Sequence, residues 1–123
     1  DTLAVDLCID RITDEEIQSL HDHVEKIRTA ASIEEAVKGA YAFQNALAFF
    51  SGNTLIPLIF HSFEAPVSNL WNRFCMLYGI QALYKNNYGL WEYIKDRDKT
   101  GAIAWINASI GESIHGSREI YFE

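Results

Sequence analysis

Residues Ala40–Asn53 read AYAFQNALAFFSGN. Ala40, Phe43, Leu47 and Phe50 recur at intervals of three and four, which places them on one face of an α-helix. The run stops at Ser51-Gly52-Asn53, and Gly52 suits the left-handed residue that closes a helix. One position breaks the pattern. Gln44 stands a turn after Ala40, so the apolar stripe carries an amide.

Helix punctuation continues on both sides. Thr13-Asp14-Glu15-Glu16 and Ser32-Ile33-Glu34-Glu35 have the form of capping boxes, in which hydroxyl and carboxylate satisfy each other's free N–H groups. The first opens a helix with the stripe Ile17, Leu20, Val24 and Ile27; the second opens the helix that ends at Phe50. Ahead of them, residues 2–11 read as a helix with Leu3, Leu7 and Cys8 on one side and no cap before it. That predicts a fragment continued on its N-terminal side. After Asn53 or Thr54 as cap, a fourth helix carries Leu55, Ile59, Phe63, Leu70, Phe74 and Leu77. Pro57 falls in its first turn, Pro66 is expected to kink or break it near Ala65, and Gly79 marks its end. Residues 80–95 form a fifth helix burying Leu83, Leu90, Trp91 and Ile94. Residues 95–101 are a charged turn, and a sixth helix turns Ala102, Trp105, Ile106, Ile110 and Ile114 inward. Strand alternation is absent over any useful length. The expected fold is all-α, an antiparallel bundle of about six helices in a single domain, 1–123.

Composition narrows the function. A chain of 123 residues, 49% hydrophobic and 22% charged, can bury a real core. A net charge of −7 is wrong for a module that meets phosphates by itself and unsuited to anionic membranes. No stretch has the length of a membrane span and no signal-peptide pattern opens the chain, so a cytoplasmic protein is expected. Cys8 and Cys75 lie in apolar contexts and read as reduced core thiols.

Few groups carry chemistry. His21 and His23 are two apart on a helix and diverge, while His61 and His115 lie in different helices, so a metal site is not expected. Ser51 and Cys75 have no base at hand, and the glycines are isolated, so neither a nucleophile nor a phosphate cradle is present. An enzyme is not expected, nor a cofactor. Three polar residues do lie on buried faces: Gln44, Asn87 beside Leu83, Leu90 and Trp91, and Ser109 beside Trp105 and Ile106. Any one of them alone can be satisfied by backbone. Three together predict a cavity lined with donors and acceptors. Arg73, set among apolar neighbours, and Asn69 are candidates for an anionic group on a ligand, with Tyr84, Trp91 and Trp105 as apolar walls.

The order of these motifs resembles a known family. RITDEEIQSLHDHV, then FQNALAFFSGNTLIPLI, then LYKNNYGLWEYIKDRDKTGAIAWINASI is similar to the C-terminal effector domain of GntR-superfamily transcription regulators, the FadR-type or FCD domain. The similarity runs from about residue 1 to 120 and is most specific at the helix–Ser-Gly-Asn–helix junction. In that family an Asp-x-x-Phe-His motif and two later histidines hold a metal. The resemblance lays those positions on Ala40, Gln44, Asn87 and Ser109, none of them a metal ligand here. It implies a ligand-sensing and dimerising domain that works without the metal and binds a metabolite of carboxylate or acyl type. It also implies a homodimer that reaches DNA through a preceding winged helix absent from this chain. The alternative is a helical domain that only dimerises, with its inward polar groups bonding one another.

Overall fold

The fold follows from where the caps and stops fall. The computed structural model describes residues 2–108, with side chains from Val5 onward. It contains α1 (Thr2–Arg11), α2 (Asp14–Arg28), α3 (Ile33–Phe50), α4 (Leu55–Ser62), α5 (Glu64–Tyr78) and α6 (Ile80–Lys95), and residues 99–108 are helical again. Among the described residues there is no strand. Ser109, Ile110, Ile114 and His115 lie outside the described residues.

Local chemistry sets most of the boundaries. Thr13 and Glu16 form the reciprocal capping box at the start of α2, with bonds of 3.2 and 3.0 Å. At α3 only half of the expected box forms. Ser32 accepts from the Glu35 N–H at 3.2 Å, but the Glu35 carboxylate reaches one residue further back, to the Ala31 N–H at 3.0 Å. Gly52 takes the left-handed conformation, φ 79°, that ends α3. Asn53 then caps the next turn through its side-chain oxygen, which accepts from the Leu55 N–H at 2.9 Å. The helix after the charged turn begins at 99 rather than after Gly101, because Asp98 accepts the Gly101 N–H at 2.9 Å and starts it early.

The fourth predicted helix is two helices. The break is at Phe63 rather than Ala65. Continuing α4 would need an N–H from residue 66 to reach residue 62, and Pro66 has none. The chain instead restarts at Glu64, which puts Pro66 in the first turn of α5, where no N–H is needed. This redirects the predicted stripe: Phe74 is buried, but Leu55, Ile59, Phe63 and Leu77 are exposed.

α3 is the spine, touched by α1, α2, α4, α5 and α6. α2 lies closest. A side chain added at Gly39 would sit 3.0 Å from the Ile27 side chain and 3.3 Å from its backbone nitrogen, so glycine permits that approach. The core falls into two clusters. Val5, Cys8, Leu20, Val24, Phe43, Leu47, Leu90, Trp91, Ile94 and Ile106 belong to one. Ile27, Ala36, Val37, Ala40, Phe74, Cys75 and Leu83 belong to the other. Each fully buried large aliphatic or aromatic side chain contributes about 1.5–3 kcal/mol. Around the outside, the turn after α6 clasps α1. Arg97 donates to the Ile9 carbonyl at 3.2 Å and pairs with Asp14, while the Lys99 ammonium lies 3.1 Å from Asp6 and 2.6 Å from Asp10.

Candidate functional site: an amide pair between two cores

α6 carries the buried Asn87 and α3 the half-buried Gln44 beside its apolar face, and the fold brings the two together. The Gln44 side-chain N–H₂ donates to the Asn87 carbonyl oxygen at 3.4 Å. The Asn87 N–H₂ donates to the Leu83 carbonyl at 2.8 Å, and Asn87 is 5% exposed. On α3, Ala36, Val37 and Ala40 belong to one core cluster and Phe43 and Leu47 to the other; on α6, Leu83 belongs to the first and Leu90, Trp91 and Ile94 to the second. Gln44 and Asn87 therefore sit at the seam where the apolar interior divides. Tyr84, half-buried, packs against both clusters and against the Tyr88 ring, centroids 5.6 Å apart.

The amide pair is only partly satisfied. Gln44 makes one hydrogen bond among the described residues, and at 3.4 Å it is long for an N–H···O bond. A side-chain amide offers two donors and an acceptor, so the seam keeps capacity for a further polar group. It does not fit a metal. Ala40, on the same face, is a fully buried methyl, and Asn87 is committed to Leu83. Among the described residues no three His, Cys, Asp or Glu side chains come together.

The two tryptophans anchor helices. The Trp91 indole N–H donates to the Ile17 carbonyl at 2.9 Å and its ring lies 4.6 Å from that of His21, which fixes α6 on α2. The Trp105 N–H donates to the Asn86 carbonyl at 2.8 Å, and its ring covers Gly89, which holds the 99–108 helix on α6. Trp91 belongs to the core cluster that also holds Leu90 and Ile94, and Trp105 packs against it.

Asn69 and Arg73 lie away from the amides, on α5. Arg73 is half-buried. Asn69 lines a separate open cleft of about 340 Å³ between α3 and α5, with Glu34, Val37, Lys38, Tyr41, Glu64, Ser68 and Asn72. Tyr41 stacks on Phe60, centroids 5.0 Å apart, and its hydroxyl is buried. Burial first, and then the Glu64 carboxylate beside it, push the phenol above its usual range and keep it protonated. The sequence offered no handle on Tyr41, Glu64, Ser68 or Asn72, because polar residues on an outward face break no periodicity.

With the geometry in place, comparison with known proteins decides the family. A family model described as FCD domain matches residues 1–112. The chain belongs to the FCD domain family. As an FCD domain it is a regulatory module of the effector-binding and dimerisation kind, and its all-helical architecture agrees. No curated protein and no solved structure matches it. Among the described residues no helix of this FCD domain is long and apolar enough to cross a membrane.

Proposed function

We propose that this FCD domain senses a small-molecule effector at the Gln44–Asn87 seam, without a metal, as the effector-binding and dimerising half of a GntR-family cytoplasmic regulator. A winged helix ahead of it supplies the contact to DNA. The observation that carries the reading is the position of the amide pair. A core optimised for stability alone would put an apolar side chain in place of Asn87, since a buried amide costs free energy wherever it is short of partners. Two amides at the seam, one long bond between them, leave donors and acceptors for an incoming polar group. Ser109, outside the described residues, is proposed as a third contact from its place in the sequence alone, and Tyr84, Trp91 and Trp105 are proposed as the apolar side of the site. Asn69 and Arg73 serve the same ligand only if it extends to α5.

A thermal-shift and calorimetric screen against a panel of metabolites, carboxylates and acyl compounds included, tests this. A ligand at about 100 times its Kd adds about 2.7 kcal/mol of stability. The expected result is a hit whose shift vanishes in the Gln44→Leu/Asn87→Leu double variant while the fold persists. A hit unaffected by the double variant ends the proposal.

A second reading is favoured by one fact: the two amides already bond each other. A domain that only dimerises needs no more than that. It predicts a double variant more stable than the parent and no ligand in the screen.

A further inference from the structure

α4 is the element the bundle leaves open. None of its eight residues is buried. It rests on α3 through the half-buried Ile56, Pro57 and Phe60 and turns Leu55, Leu58 and Ile59 outward, 62%, 64% and 58% exposed. These three, with Phe63 at 55%, follow the three-and-four spacing of one helical face. Phe49, in the last turn of the helix on which α4 packs, is 71% exposed as well.

We propose that this face is where a second copy of the chain docks, α4 against α4 about a two-fold axis. The proposal rests on the dimerising part of the reading above and names its surface. Two observations select a second copy as the occupant. The first is charge. Each chain carries a net −7, so two copies repel through most of their surface. Between Lys38 and His61 there is no charged side chain at all, and α4 lies in that stretch. Residues near the axis of an isologous contact meet their own symmetry mates, and a face without charges there brings no like charges together. The second is area. Aromatic side chains offer roughly 150–250 Å² each and Leu and Ile somewhat less, so two Phe and three Leu or Ile that are more than half exposed leave at most on the order of 500 Å² per copy. Doubled across a two-fold axis, that reaches about 1,000 Å², the size at which a specific interface begins.

Sedimentation equilibrium and light scattering on the chain and on Leu58→Glu, Ile59→Glu and Met76→Glu test it. Met76 is equally exposed, 71%, but sits at the opposite end of α5. The expected result is a dimer for the parent and for Met76→Glu. Either α4 variant is expected to weaken association at least 100-fold, with helical content and melting cooperativity unchanged. As a readout independent of folding, Ser62→Cys under oxidation is expected to give a covalent dimer. A parent that stays monomeric at about 100 μM overturns both the proposal and dimerisation of the isolated domain. A dimer that persists in both glutamate variants, or one that fails only in Met76→Glu, overturns the α4 face and leaves dimerisation standing.

Discussion

Gln44 and Asn87 show how far a single polar residue can be read. Helical phase alone picks both out, because an amide on an apolar stripe has no surface reason to be there, and the fold places them 3.4 Å apart. Removing one leaves the other short of a partner. Gln44→Leu alone strands the buried Asn87 oxygen, and a loss of about 1–3 kcal/mol is expected in urea unfolding. The double replacement is expected to recover most of it, with a coupling of about 0.5–1.5 kcal/mol in the cycle. His23 was not legible in this way. Its spacing from His21 excludes a shared metal but says nothing of burial, and its Nδ1 is buried without a hydrogen-bond partner among the described residues. Burial first, then Lys26, hold its pKa below 6.5, against a smaller opposing effect of Asp22. A histidine depressed in the folded state binds its proton more readily once unfolded. Its contribution is therefore fully present above pH 6.5 and is lost as the pH falls through that value toward the folded pKa. His23→Gln is expected to flatten the acid side of the melting-temperature profile over about pH 5–7.

Helix boundaries were mostly written in the sequence, because caps and stops are short-range chemistry. α1, α2, α3 and α6 lie where Thr13, Ser32, Gly52 and Gly79 put them. In the region 55–78 the break falls close to where Pro66 puts it, but the placing of the apolar face depends on longer-range packing. Periodicity shows that a helix has an apolar face but not that its own bundle covers it, and the face of α4 looks outward. The partners of the tryptophans were equally hidden, since the Ile17 and Asn86 carbonyls leave no mark in side-chain pattern. One of these contacts yields a sharp test. A methyl at Gly89 would overlap the Trp105 ring. Gly89→Ala, normally helix-stabilising, is therefore expected to cost about 1–3 kcal/mol and to shift tryptophan emission as Trp105 is displaced.

The domain as a whole has two attributes that act together: strong negative charge and a closed thiol inventory. Cys8 and Cys75 are free and buried, and burial pushes their thiols up to about 12 and about 11. Thiolate is the reactive form, so both are expected to resist a disulfide reagent at neutral pH until the chain is denatured, with complete labelling thereafter. The charge bears on association. If copies meet through a neutral face while the rest of each surface repels, added salt is expected to tighten the dimer, the reverse of an ion-paired interface. Sedimentation at low and at moderate ionic strength reads this directly.

The clasp on α1 gives the amide seam a mechanical reach. α6 runs unbroken from Asn87 to Lys95, and the turn and helix start that follow hold the first helix through Arg97 and Lys99. A helix is stiff over that length, so, if a ligand binds the seam as proposed, a shift of Asn87 away from Gln44 is expected to reach the grip on Asp6 and Asp10. These grips are water-exposed ion pairs, each worth little on its own, and they can slip and re-form without opening the core. α1 is thus moored by contacts that can readjust if the far end of α6 moves.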